Sequence, residues 1–241
     1  MRKALIVGGS NGIGLAVAKC LVEDGYNVTI IDKSAPDPLI KNKCEYVFFD
    51  LSSNDYSIFD RFRDVGLLMI TAGFGHLSLF KDIEESQISS YFQINTISAI
   101  RIIHHFYDRL LDTNNFYCGV MVSIAGFMSS PFFSVYASTK AALKIFIESV
   151  NVELEKSGTK NRILNVSPGH IKGTHFNGGE MNSFEGTEPL AKEIINHLLL
   201  QDDLFIPKYE EVYKEVLERY HRDFREEGRH SYDYKVKSGR I

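Results

Sequence analysis

Long hydrophobic runs, cysteine pairs, proline and surplus positive charge are all scarce in this chain of 241 residues, and each scarcity closes off a class of protein. No stretch reaches the roughly 18 consecutive apolar residues of a membrane-spanning helix. The opening MRKALIVGGSNGIG has only about four apolar residues before its glycines, too few for the core of a secretory signal. Cys20, Cys44 and Cys118 are odd in number and share no short spacing, which argues against a disulfide framework and against the common zinc and redox pairs. They read as reduced thiols of a cytoplasmic protein. A formal net charge of −4 and a pI near 6.1 provide no general attraction for nucleic acid or an anionic membrane. With 6 prolines, 18 glycines, 44% hydrophobic and 24% charged residues, the usage is that of an ordinary globular chain and not of a fibrous or disordered one.

What is present is a rhythm. Short apolar runs alternate with longer segments of helical period: ALIVG, GIGLAVAKCLVEDG, NVTIID, EYVFFD, GLLMITAG. Runs such as LLMI, apolar at every position, read as strands covered on both faces, as in a parallel sheet. The expected fold is α/β, a doubly wound parallel sheet of about seven strands with helices on both faces. Further on, the pattern predicts a helix over Glu84 to Leu111, a strand over Tyr117 to Ser123, a helix over Ser134 to Lys156 and a strand over Arg162 to Ser167. Pro168 to Glu188 holds five glycines and no sustained period, so it reads as a loop. Pro189 then opens a helix, LFIP makes a last strand, and Tyr209, Val212, Val216, Leu217, Tyr220 and Phe224 repeat at helical spacing up to Gly228. The expectation is one domain over 1–228, with a substrate loop at 170–188, and a tail over 229–241.

Four features carry chemistry. The first strand ends in GGSNGIG, where Gly8, Gly12 and Gly14 permit a tight turn and a close approach of backbone to a phosphate, and the following helix presents free N–H groups. Asp32 ends the second strand, where a carboxylate can accept hydrogen bonds from both hydroxyls of an adenosine ribose and would repel a 2′-phosphate. NAD is therefore expected over NADP, with Lys33 beside Asp32 partly offsetting its charge. In SVYASTKAAL, Tyr136 and Lys140 are four residues apart and share one helix face. A cation near a phenol favours the phenolate and draws its pKa down from about 10. Ser123 ends a strand upstream, at the side of a parallel sheet where ligands bind.

Taken in this order, the motifs resemble the short-chain dehydrogenase/reductase family over about Lys3 to Gly169. The resemblance implies an NAD(P)-dependent oxidoreductase that exchanges hydride between nicotinamide and a secondary alcohol or ketone. It implies a catalytic set of Asn95, Ser123, Tyr136 and Lys140: the tyrosine moves the proton, the serine polarises the substrate oxygen, the lysine binds the nicotinamide ribose, and the asparagine holds a relay water. It implies cofactor contacts from Gly8, Ser10, Asn11, Gly12, Ile13 and Gly14, from Asp32, from Asp50 and Leu51, from Ala72 and Gly73, from Tyr136 and Lys140, and from Pro168, Gly169 and Ile171. A homotetramer or dimer is common among such relatives; no metal, nucleic acid or membrane partner is implied.

The chain departs from the pattern at Val7, where a threonine is usual, and at Ile70–Thr71, where NNAG would begin, which bears on cofactor affinity. Gly173 stands where a threonine often contacts the carboxamide, and Thr174 follows. Phe74, Phe127, Met128, Phe132, Phe133, Phe176 and Phe184 are expected to border an aromatic substrate pocket, with His170 and His175 as solvated loop residues. The basic and aromatic stretch from Arg219 to Ile241 is expected to be a subunit-contacting arm or a solvated tail. A second reading keeps the fold and removes the reaction: a dinucleotide-sensing binding protein.

Overall fold

The runs ALIV, VTII, LLMI and ILNV expose almost nothing to solvent, because the sheet they form is covered on both faces. The structure, a computed structural model, describes residues 2–171 and 184–239. Its strands are β1 (Lys3–Val7), β2 (Asn27–Asp32), β3 (Glu45–Phe48), β4 (Leu67–Ile70), β5 (Tyr117–Met121), β6 (Ile163–Val166) and β7 (Leu204–Phe205), all parallel in the order β3-β2-β1-β4-β5-β6-β7. Val7 pairs with both Ile31 and Ile70, Ile70 with Val120, and Met121 with Val166, so the carboxyl ends finish nearly level. Strand order reverses between β1 and β4, and that is where an open α/β sheet leaves a crevice.

The helices are α1 (Gly12–Glu23), α2 (Pro38–Lys41), α3 (Glu85–Phe92), α4 (Ser98–His105), α5 (Tyr107–Leu111), α6 (Ser134–Ser157), α7 (Phe184–Leu200), α8 (Lys214–Arg222) and α9 (Phe224–Lys237). On one face Leu15, Val17 and Leu21 of α1 share a buried cluster with Ile194 and Leu198 of α7. On the other, Ile102 and Ile103 of α4 and Leu143 and Ile147 of α6 close over Phe59, Phe106 and Phe116. Each such side chain contributes about 1.5–3 kcal/mol on burial, so the two layers dominate stability and leave the crevice between them rigidly framed. No helix among the described residues is long and apolar enough to cross a membrane.

Several boundaries differ from the sequence expectation. The helix read from Glu84 to Leu111 is three helices, interrupted by a π-helical turn at Gln93–Ile97 and by a break at Phe106. The π turn lies where Asn95 points inward, and such bulges recur at functional sites. Pro189 does not open its helix but lies within α7. Thr187 is buried, and Glu188 pairs with Lys19 at 3.1 Å and Lys192 at 2.9 Å, so tertiary contacts hold the turn around the proline. Gly228 ends no helix. The Asp223 carboxylate accepts from Arg225 N and Glu226 N at 2.9 and 3.0 Å and starts a new helix, α9, which passes through Gly228. Residues 229–237 of the tail are thus helical, with Lys235 buried, as is Glu227 just before it.

Candidate active site

The crevice is built first by glycines. Gly8 has φ +86°, and a Cβ there would stand 2.4 Å from Ala72 N. A Cβ on Gly14 would meet Gly8 O and Thr71 Oγ1 at 2.3 Å. The β1–α1 turn and the end of β4 are therefore in backbone contact. No acidic residue sits in the first turn of α1 and Asn11 makes no side-chain capping bond, so the positive end of the helix dipole faces the crevice uncompensated by a carboxylate of its own. Gly12 and Ile13 start that helix, and Ser10 is buried with its Oγ donating to Ser34 O at 2.5 Å.

Asp32 lies at the rim of the same turn. One of its carboxylate oxygens accepts from Ser10 N at 3.0 Å and the other from Ser34 N at 3.1 Å. These bonds fix the carboxylate between the glycine turn and the end of β2 while each oxygen retains accepting capacity. Asp50 is exposed and accepts from Ser52 N at 2.8 Å, which holds its carboxyl below the usual range; Leu51 beside it is buried.

The four residues of the expected catalytic set come together from three elements. Ser123 follows β5 and caps a short 3-10 turn, Ile124–Gly126, accepting from Ala125 N at 3.1 Å. Gly126 lets that turn lie directly on α6, since a Cβ would come within 2.8 Å of the Lys140 carbonyl carbon. Asn95 is 1% exposed; its Oδ1 accepts from Phe74 N at 2.9 Å, and its Nδ2 donates to Phe74 O at 2.9 Å and Thr139 Oγ1 at 3.3 Å. It clamps the segment after β4 to α6. A Cβ on Gly73 would lie 3.2 Å from Asn95 Oδ1 and 3.3 Å from Lys140 Nζ, so Gly73 leaves space directly over both.

The electrostatics of Tyr136 and Lys140 differ from the expectation. Burial pushes the Tyr136 phenol up to about 12, against a hydrogen bond with Ser123 that pulls it down. Burial also brings Lys140 down to about 8. The lysine Nζ is 5.8 Å from the Tyr136 ring centre and donates to Met121 O at 2.9 Å. Desolvation therefore outweighs the neighbouring cation, and the phenol is held protonated instead of being drawn down.

The expected aromatic pocket divides into three. Phe74 stacks near Tyr91 at 4.5 Å and Phe133 near Tyr136 at 5.2 Å, in one cluster at the catalytic set. Phe127 and Met128 turn away toward Ile206, Tyr213 and Leu217. Phe132 is buried against Tyr232 of α9. Gly173, Thr174, His175 and Phe176 lie outside the described residues, as does the Phe184 side chain; His170 is exposed and Ile171 half-buried. Pro168 O is 3.5 Å from Ser123 Oγ, and the Tyr213 hydroxyl presses so closely on Gly169 that any side chain there would overlap it. Among the described residues no group of three or more His, Cys, Asp or Glu could hold a metal.

Residues 2–183 match the family described as short chain dehydrogenase. The chain belongs to that family. Its relatives include the uncharacterized oxidoreductase TDA5 of Saccharomyces cerevisiae, 28% identical over 184 residues, which make up 72% of this chain and 56% of the yeast protein. They also include the uncharacterized oxidoreductase YvrD of Bacillus subtilis, 28% identical over 177 residues, 68% of this chain and 66% of YvrD. The chain thus spans between about half and two thirds of the length of these relatives. In fold it is similar to a short-chain dehydrogenase from Streptomyces avermitilis, with a TM-score of 0.76 at 19% identity, covering 97% of this chain and all of that one. It is also similar to an alcohol dehydrogenase from Thermococcus sibiricus complexed with 5-hydroxy-NADP, with a TM-score of 0.71 at 22% identity, covering 86% and 95%.

As a member of that family, the chain supports its site with residues that sequence reasoning passed over. Thr71, read as a departure, has its hydroxyl 2.9 Å from Gly8 O and 3.1 Å from Val7 O, so the residue after β4 ties down the glycine turn although Val7 brings no hydroxyl. Thr139 is fully buried, donates to Tyr136 O at 2.6 Å and accepts from Asn95. A threonine three residues after the tyrosine was the available signal. Tyr91 and Tyr213 had none, since their places depend on elements distant in the chain.

Proposed function

We propose that the protein is an NAD-dependent oxidoreductase that moves hydride between nicotinamide and a secondary alcohol or its ketone, with Tyr136 as general acid-base. The observation that carries this reading is the convergence of Asn95, Ser123, Tyr136 and Lys140 beside Gly73 at the carboxyl ends of β4 and β5. The backbone crowding at Gly8 and Gly14 and a first turn of α1 without an acidic residue fit a dinucleotide whose pyrophosphate is held by backbone N–H groups. When bound, the nicotinamide supplies the hydride donor or acceptor.

The chain's own residues supply the rest. Ser123 Oγ orients and polarises the substrate oxygen. Tyr136 Oη gives that oxygen a proton in ketone reduction and takes one in alcohol oxidation. Lys140 Nζ, turned toward the space over Gly73, holds ribose hydroxyls and places positive charge near the phenol. Asp32 accepts from the adenosine ribose and disfavours a 2′-phosphate. Asp32→Asn removes that charge and keeps the shape, so NADH should bind about tenfold more weakly while its advantage over NADPH narrows, as fluorescence titration of both would read. If Asp32 does not touch the ribose, the two affinities will move together.

The direction of the pH dependence follows from Tyr136. A phenol pushed up to about 12 is protonated at neutral pH. Ketone reduction uses that proton and should be level from about pH 6 to 8, whereas alcohol oxidation needs the phenolate, whose fraction climbs about tenfold per pH unit below the pKa. Initial rates in both directions test this. Disappearance of NADH absorbance across a panel of ketones tests the reading as a whole; cofactor binding with no turnover anywhere in the panel would favour a nucleotide sensor.

A further inference from the structure

The sequence of α9, FREEGRHSYDYKVK, is strongly polar, yet Lys235 is only 7% exposed. Burying a lysine is costly unless its ammonium is well satisfied. Here the Nζ donates to Ser130 Oγ at 2.9 Å and to Pro131 O at 2.7 Å, and lies 5.5 Å from the centre of the Phe133 ring. The same helix grips the same turn elsewhere. Tyr232 packs on Phe132 at 4.5 Å between ring centres, Ser129 Oγ donates to Phe224 O at 3.4 Å, and a Cβ on Gly228 would come within 3.3 Å of Ser129 Oγ.

The turn held in this way is strained and adjoins the reactive phenol. Phe132 has φ +66°, a left-handed conformation that a bulky side chain adopts only when surrounding contacts impose it. Its carbonyl accepts from Ser78 N at 2.9 Å. Phe133 follows: its N donates to Ser130 O at 2.9 Å, its carbonyl accepts from Ala137 N at 2.7 Å in the first turn of α6, and its ring lies 5.2 Å from the Tyr136 ring. A continuous chain of contacts therefore runs from Lys235 through Ser130, Pro131 and Phe133 to Tyr136.

We propose that Lys235 is a positioning residue for Tyr136: by fixing the Ser129 to Phe133 turn, it holds the Phe133 ring against the phenol and makes the C-terminal helix part of the frame of its own chain's active site. The consequence for turnover rests on Tyr136 being the proton-transfer group; the positioning itself does not. Two variants address it from opposite sides. Lys235→Met removes the donors and keeps the apolar stem, and Ser130→Ala removes an acceptor should the first variant misfold, with Lys235→Arg as the conservative control.

Two readouts are needed. The first is nitration of Tyr136 by tetranitromethane, followed peptide by peptide by mass spectrometry, which requires no substrate. The second is kcat and KM with NADH and the ketone of best turnover in the panel. Lys235→Met should speed Tyr136 nitration about tenfold and lower kcat about tenfold with KM and NADH affinity near wild type, as expected when a reacting group is misplaced by a fraction of an ångström. Ser130→Ala should move both readouts in the same direction and Lys235→Arg should restore most of each. Wild-type nitration in both Lys235→Met and Ser130→Ala would overturn the proposal; faster nitration with unchanged kcat would uphold the positioning and remove Tyr136 as the proton-transfer group. If no ketone is turned over by the wild type, the hydride-transfer reading fails, and nitration alone decides whether Lys235 positions the phenol.

Discussion

Tyr136→Phe is expected to lower turnover by about three orders of magnitude, within the range that a positioned general acid-base contributes, while NADH affinity changes little. The reasoning is geometric. The Tyr136 side chain is buried between Phe133 and the Ser123 turn, and burial holds its proton in place. Phenylalanine keeps the ring in its packing and removes only the oxygen, so stability should stay near wild type. Steady-state rates and a parallel NADH titration would measure both sides. Turnover that stays within a fewfold of wild type would remove the tyrosine's assignment as the proton carrier.

Gly8→Ala should be strongly damaging for so small a substitution. The new methyl would stand 2.4 Å from Ala72 N, 2.6 Å from Ala72 Cα and 2.9 Å from its Cβ, in a backbone conformation of φ +86°. Left-handed geometry costs about 1–2 kcal/mol for a residue with a Cβ. Overpacking against rigid neighbours adds about 1–3 kcal/mol. The sum, about 2–5 kcal/mol, is a large part of the 5–15 kcal/mol typical of a folded domain. NADH binding should be lost as β1 and β4 separate. Gly25→Ala is the control, since Gly25 has φ +78° but nothing lies within 4 Å of a Cβ there. It should lower stability by about 1 kcal/mol and leave NADH binding intact. Urea denaturation with an NADH titration distinguishes the two; equal losses would show that conformation alone, and not the close approach to Ala72, makes Gly8 necessary.

Much of this site was legible in the sequence because its chemistry requires particular residue types at fixed offsets. A glycine turn after a strand, an acid at the next strand's end and a tyrosine four residues before a lysine are constraints on backbone approach and helix facing, and the structure brings Gly8, Gly14, Asn95, Ser123, Tyr136 and Lys140 to one crevice. The strands were legible for a related reason: LLMI and its counterparts are apolar on both faces.

What could not be read was decided by contacts between distant segments. Lys140 turns to Met121 O because β5 passes beneath α6, and the Tyr136 phenol rises because Phe133 and its neighbours exclude water. Local spacing favoured a depressed tyrosine; tertiary burial won. Pro189 looked like a helix start until Glu188 found Lys19, 169 residues away in the chain. The polar segment after Gly228 carried no apolar stripe from which a helix could be inferred, and Lys235, which anchors it, would be read as a surface charge in any local window. Thr71 was read as a departure, and only the register of β1 with β4 shows its hydroxyl tying down the turn that Val7 leaves without one.

The measurement that bears most directly on the central claim is isotope transfer from NADH carrying deuterium at nicotinamide C4. With a ketone accepted by the wild-type protein, the alcohol formed should carry deuterium at its carbinol carbon, and Tyr136→Phe should form that product about a thousandfold more slowly. Tight NADH binding with no deuterium in any product across a broad panel of ketones would contradict the account and identify the protein as one that reads the dinucleotide without reacting it.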